Sequence, residues 1–285
     1  PNDITGASGV CLASTITLAN TIASGTWTSS SSLTASVGSS TGVVTGVSPG
    51  TATISYTLST GCRRTAVVTV NPLPTAITGT TSICAGQCTT LNSTPAGGTW
   101  SSVSAAVGTI NPATGVFCGV GAGTTTVSYT LATGCARTTV MLVNGLPTSI
   151  TPAVAQVCEG STLTMTGSPT GGTWSASCPT IGTIATGSGT YTGIAAGTCN
   201  VTYTLASGCS LVSSPITVNP LPGTIVGVTD ICIGGDTILT SSPGGGAWSG
   251  GGFVASVTAI SSTFDSARVV GLAVGTTNIT YTLPT

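Results

Sequence analysis

Apolar and polar residues alternate in short bursts along this chain, and each burst is closed by Gly, Pro, Ser or Thr. In "VSYTLATGCARTTVMLV", which starts at Val127, Val127, Tyr129 and Leu131 share one face while Ser128 and Thr130 share the other. A period of two marks a half-buried β-strand. Thr133-Gly134 interrupts the run as a turn, and "ARTTVMLV" returns as a second strand. Upstream, "TTLNS", "GTWSS", "GTI" and "GVFCGV" predict further short strands separated by Gly, Pro and Ser. About seven such strands in one small unit predict an all-β, compact sandwich.

The unit is repeated. The tyrosine strand recurs as "ISYTLSTGC" from Ile54, "VTYTLASGC" from Val201 and "ITYTLPT" from Ile279. Its tyrosines, Tyr56, Tyr129, Tyr203 and Tyr281, are 73, 74 and 78 residues apart, and Trp27, Trp100, Trp174 and Trp248 are 73, 74 and 74 apart. Fixed periods of this kind identify a tandem array. "NPLP" at 71–74, "NGLP" at 144–147 and "NPLP" at 219–222 punctuate it, and proline there marks joints rather than strand interiors. The predicted domains are residues 1–72, 73–145, 146–220 and 221–285, the last without its final strand. Two explanations fit that last unit: a polypeptide that continues past Thr285, which is favoured, or a strand accepted from another subunit. No charged, apolar leader precedes Pro1, so a signal peptide is expected to have been removed or to lie outside this sequence.

The tryptophan in "GGTWSS", the stretch "TGVVTGVSPGTATISYTL" from Thr41, the closing "GC" and the "VTVNPLP" joint together resemble bacterial immunoglobulin-like repeats of large secreted and surface-anchored proteins. The resemblance extends over all four units. It implies four small immunoglobulin-like sandwiches in series, an extracellular setting, and a role as stalk, spacer or adhesive tip, since one such fold serves many purposes.

Eleven cysteines in a chain of this kind point to disulfides rather than to redox or metal chemistry. In each complete unit an early and a late cysteine stand 51 residues apart, which favours Cys11–Cys62, Cys84–Cys135 and Cys158–Cys209, and leaves Cys232 unpaired. Two alternatives stay open: a late cysteine bonded to the next early one, as in Cys62–Cys84, and bonds between chains. In the immunoglobulin-like arrangement Cys88 and Cys118 fall on neighbouring strands, and so do Cys178 and Cys199, which makes both pairs local staples. Cys84-x-x-x-Cys88 has the look of half a zinc site, but the other units lack the second cysteine and the chain has no histidine.

Charge is scarce. Four arginines face five acids, with no lysine and no histidine, for a formal net charge of −1. The 41 Gly and 15 Pro suggest low complexity, yet 40% of residues are apolar, which a disordered chain lacks. So few cations exclude a nucleic-acid partner, and no apolar run is long enough to span a membrane. Without histidine or lysine, neither a catalytic triad nor a Schiff base nor a P-loop can be built, so no enzyme and no cofactor is expected. The glycine-rich "GVGAG" from Gly119 reads as a turn, with no helix to present amides to a phosphate. Asp230 and Asp236 are the close carboxylate pair; calcium is conceivable there, solvated turns are the plainer reading, and no metal site is assigned. Each tryptophan follows its early cysteine by 16 residues, where this fold class buries an aromatic; Trp27, Trp100, Trp174 and Trp248, with the four tyrosines, are therefore core rather than a sugar platform. Asp236-Thr237-Ile238 and Asp265-Ser266-Ala267 resemble a bacterial O-glycosylation acceptor, with Thr237 and Ser266 as the modified residues. Asn92, Asn200 and Asn278 begin N-x-Ser/Thr triplets.

A chain with so little charge must cover its surface with hydroxyls, glycans or copies of itself. The expected function is a structural segment of a secreted or surface-anchored filament, fibre or stalk that associates with its own kind. The alternative is an adhesin that grips glycan or a cell surface through the loops of repeat four, where "GGGAWSGGGF" departs from its siblings.

Overall fold

A computed structural model describes residues 1–263 and 265–284. Every named element among them is a strand. Repeat one has seven: β1 (Gly9–Cys11), β2 (Thr15–Thr17), β3 (Thr26–Ser29), β4 (Ala35–Val37), β5 (Val43–Gly46), β6 (Gly50–Thr57) and β7 (Arg63–Asn71). They form two sheets, β1-β7-β6-β3 and β2-β5-β4. β1 runs parallel to β7, with Cys11 opposite Asn71, and the remaining neighbours are antiparallel.

Alternation explains the packing. Ala52, Ile54 and Tyr56 of β6 and Val68 and Val70 of β7 point inward, and with Val10, Leu18, Trp27, Ala35 and Val44 they make one core. The polar partners on β6, Thr53 and Ser55, lie on the other face. The β6–β7 hairpin closes through Gly61, whose φ of 82° favours glycine; Leu58 N donates to Cys62 O and Gly61 N donates to Leu58 O, both at 2.9 Å.

Repeat two has the same two sheets, built from Thr99–Ser102, Gly123–Thr130, Ala136–Asn144 and Ser82–Cys84 on one side and Gly108–Ile110, Val116–Gly119 and Cys88–Thr90 on the other. Repeat three breaks both strands of its long hairpin, into Gly197–Cys199 with Val201–Thr204 and Ser210–Val212 with Ile216–Asn219. Pro215 cannot donate to a ladder, and side chains take over at the break: Asn200 Nδ2 donates to Ser213 O at 2.7 Å and Val201 N to Ser213 Oγ at 3.0 Å. Repeat four retains Asp236–Thr240, Ser266–Gly271 and Ala255–Ala259 in one sheet and pairs only Ala247–Gly250 with Ile279–Thr282 in the other.

Each repeat carries its own hydrophobic cluster. The chain divides into two compact units, one from Pro1 to Gly145 and one from Leu146 onward.

Candidate functional site

The aromatic pair recurs with little change. Trp27–Tyr56, Trp100–Tyr129 and Trp174–Tyr203 have ring centroids 4.6 Å apart, and Trp248–Tyr281 4.8 Å. The first three tryptophans and all four tyrosines are buried, while Trp248 is half-buried. Each tyrosine hydroxyl does two jobs that the sequence did not disclose. Tyr129 Oη donates to Pro95 O at 2.8 Å and accepts from Gly98 N at 2.8 Å, and the same pair of bonds recurs at Tyr56, Tyr203 and Tyr281. Gly98 must be glycine, because a Cβ there meets the Tyr129 ring. These aromatics are committed to the core and to loop anchoring.

The cysteines are placed by strand register, and the intra-repeat pairs favoured by spacing do not form. Cys11 ends β1 opposite Asn71, the last residue of β7. Cys62 immediately precedes β7, at its opposite end. Nine residues of extended strand separate them by roughly 30 Å at about 3.3 Å per residue, far beyond the ~7 Å Cα limit for a disulfide. Cys84 sits opposite Asn144 while Cys135 precedes Ala136–Asn144, and Cys158 sits opposite Asn219 while Cys209 precedes Ser210. Every early cysteine of a complete repeat thus lies at the pole where the chain leaves that repeat, and every late cysteine lies at the pole where it enters. Cys11 instead bonds Cys135 of the following repeat, with Cα atoms 5.6 Å apart and a sequence separation of 124. Cys84 and Cys209 are each disulfide-bonded. Cys62, Cys158 and Cys232 are free, so the alternative Cys62–Cys84 does not form either.

The remaining four cysteines are local. Cys88 and Cys118 are Cα partners on adjacent strands and are bonded, which removes Cys88 from any zinc set. Cys178 and Cys199 are bonded, with Cα atoms 5.7 Å apart.

Repeat four differs in its interior. A cavity of about 580 Å³ opens among Val228, Ile231, Leu239, Val254, Val269 and Ile279. In repeats one to three the corresponding space holds the closing strand, whose Val70, Val143 and Val218 pack over Gly46, Gly119 and Gly193. Over the equivalent Gly271 the three nearest atoms belong to Cys232 and Ile231. Thr237 and Asp230 line the same cavity. Asp236 is engaged by Arg268, whose Nε lies 2.9 Å from Oδ2; this hydrogen bond and charge hold the carboxyl below its usual range and raise the guanidinium. Asp265 is likewise lowered, chiefly by the Ser261 hydroxyl at 2.6 Å. Ser266 is half-buried, with its hydroxyl 3.4 Å from Asp265 Oδ1. Among the described residues no three metal-ligating side chains stand together, and no helix is long and apolar enough to cross a membrane.

Two antiparallel-rich sheets packed over a buried tryptophan define an immunoglobulin-like sandwich. Residues 6–70, within repeat one, match the bacterial Ig-like domain (group 2) family. A comparison with curated proteins finds no match. Among solved structures, the chain is similar to a C-terminal 282-residue fragment of intimin in complex with the intimin-binding domain of the translocated intimin receptor, at 16% identity and TM-score 0.33, covering 54% of this chain and 68% of that one. It is similar to domains 1–6 of the surface layer protein SbsC, at 16% identity and TM-score 0.24, covering 98% of this chain and 53%, about half, of that one. It is also similar to Drosophila N-cadherin EC1-4, at 12% identity and TM-score 0.26, covering 90% and 85%. Identities and scores this low carry no argument about function.

Proposed function

We propose that this chain is a structural segment of an extracellular bacterial filament, fibre or stalk, made of disulfide-stabilised modules that associate with further copies of themselves. The observation that carries this reading is the Cys11–Cys135 bond, which fastens the exit pole of one module to the entry pole of the next. Disulfides persist outside the cytosol, which supports a secreted or surface location. The scarcity of charge supports lateral association, since ionic groups are what ordinarily keep protein surfaces apart. No enzymatic activity and no cofactor are proposed. The aromatic side chains serve the core, most cysteines are oxidised, and the residue types of common nucleophile–base pairs are missing from the sequence.

Negative-stain imaging of the native material tests this. Uniform fibres or extended threads support the proposal, and compact single particles at all concentrations overturn it. A second reading rests on repeat four, where Phe253 is 97% exposed on a glycine-rich loop. In that reading the loop is an adhesive tip for glycan or a cell surface. Binding of the full chain to a glycan array, lost in Phe253→Ser, supports it; binding to no glycan removes it.

A further inference from the structure

Repeat four holds a second cavity, of about 360 Å³, lined by Thr224, Thr240, Ser241, Ser242, Asp265 and Ser266, with Val226 as its apolar member. A longer hairpin builds it. The facing residues at the base of this hairpin are Ala35 and Gly46, Gly108 and Gly119, and Gly182 and Gly193 in repeats one to three, always 11 positions apart. In repeat four they are Ala255 and Gly271, 16 apart. The siblings turn at Gly42, Gly115 and Gly189, whose φ values of 68°, 72° and 70° favour glycine and which sit against the tryptophan ring. Ala267 stands in that place: Leu18 N donates to Gly42 O in repeat one, and the equivalent Leu239 faces Ala267 in repeat four. With alanine there the strand runs straight on. Thr240 faces Ser266, and Ser241 N donates to Asp265 O at 2.8 Å. A carboxylate and a hydroxyl are thus carried past the point where the other repeats have already turned.

That carboxylate is held in place but not neutralised. Ser261 Oγ donates to Asp265 Oδ1 at 2.6 Å and accepts from Asp265 N at 3.0 Å, and Ser266 Oγ lies 3.4 Å from the same Oδ1. These hydroxyls, Ser261 first, keep the carboxyl below its usual range, so it is ionised at neutral pH. Among the described residues the ion pairs are Arg64–Asp3 and Arg268–Asp236, and neither involves Asp265. Ser241 is 7% exposed and donates to Gly223 O at 3.0 Å, which fixes the floor. Thr224 and Ser242 are exposed at the rim.

A ligand here meets hydroxyls, which donate and accept, and one carboxylate, which only accepts. An anion is repelled, a metal ion finds no second carboxylate, and an apolar ligand finds Val226 alone. A sugar ring matches, because its adjacent hydroxyls can donate to the carboxylate and exchange bonds with serine and threonine. The volume lies at the small end of ligand sites, about 300–1,000 Å³, which suits a single ring. From this pocket we infer that repeat four binds a neutral monosaccharide unit of a glycan, with Asp265 accepting from the sugar hydroxyls. The inference rests on the second reading above, in which repeat four grips glycan, and it places the sugar in this pocket rather than on Phe253.

Saturation-transfer NMR on the full chain, with glucose, galactose, mannose, fucose and N-acetylglucosamine offered singly, tests this. At least one sugar is expected to bind, weakly, since no aromatic ring lines the pocket. Asp265→Asn should weaken that binding by about tenfold or more, through loss of a charged acceptor, and Thr224→Val by about fivefold. Phe253→Ser should leave it unchanged. Native Trp248 fluorescence shows that a variant is folded; if Asp265→Asn fails that check, Thr224→Val alone decides. Transfer to none of the sugars overturns the inference, as does transfer that the pocket variants leave unaltered, or transfer to lysine in preference to every sugar. A sugar signal lost in Phe253→Ser but kept in the pocket variants overturns the pocket and spares the second reading. No signal, together with no binding on the glycan array, removes both.

Discussion

Repeats two and four hold the same tilted tryptophan–tyrosine pair and the same hydroxyl bonds to a loop carbonyl and a glycine amide. They differ in what surrounds that pair. In repeat two, Leu91, Phe117, Val127, Met141 and Val143 are each at most 1% exposed. In repeat four the buried members of the hydrophobic cluster are Leu239, Ala255 and Val269, and a cavity opens beside Leu239, Val269 and Ile279. The aromatic corner is therefore fixed by one strand pair and one loop, while the rest of the core depends on the closing strand of the hairpin, which supplies Met141 and Val143 in repeat two. Local and distant contributions to this sandwich can be separated by comparing the two repeats.

The largest expected effect comes from the tryptophans. Trp100→Ala should destabilise repeat two by about 3–5 kcal/mol, and Trp248→Ala should cost repeat four clearly less, because that ring is already half-buried. Hydrogen exchange resolved by repeat, on the full chain, reads both; equal losses would break the comparison. Next, a peptide copying Ala136–Asn144 should add as a strand beside Ile279–Thr282 and slow amide exchange there. At a hundredfold excess over its dissociation constant the gain is about 2.7 kcal/mol. A peptide with the same residues shifted by one place presents the wrong face and should do nothing.

A smaller effect is expected in repeat three, at the position that holds Phe117 in repeat two. Tyr191 fills it with a hydroxyl that is buried and has no hydrogen-bond partner, and burial pushes that phenol's pKa up. Tyr191→Phe should raise the stability of repeat three by about 1 kcal/mol, read as a higher midpoint in urea. The smallest effect is acidic. Asp236 and Asp265 have lowered pKa values in the folded protein, so the unfolded chain binds their protons first. The stability they add is present above the ordinary carboxylate range and lost as pH falls through it, from about 4 downward. Repeat four should lose protection there slightly sooner than repeat two, and Asp236→Asn should remove part of the difference.

Much of this was legible from the sequence. The alternation around Val127, Tyr129 and Leu131 and the turn at Gly134 gave the hairpin, and the 16-residue step from cysteine to tryptophan placed the buried ring. The disulfide partners were not legible, although the spacing was regular. Spacing along the chain says nothing about which pole of a sandwich a residue occupies, and the parallel register of Cys11 with Asn71 puts Cys11 a full strand length from Cys62. The signal available was the strand order itself: an early strand pairing parallel with the last one must end where the last one ends. The side-chain bonds of Asn200 and Ser213, which replace a ladder in repeat three, had only Pro215 to announce them.

The bond between Cys11 and Cys135 also bears on how the first two modules answer a pull. Tension entering at one end crosses from sulfur to sulfur and bypasses the polypeptide between them, a sequence separation of 124. Fully drawn out, that stretch would lengthen by roughly 400 Å, at about 3.4 Å per residue, but while the bond is intact none of this slack can be released. Thermal unfolding can still melt both sandwiches, yet the distance between Cys11 and Cys135 stays fixed.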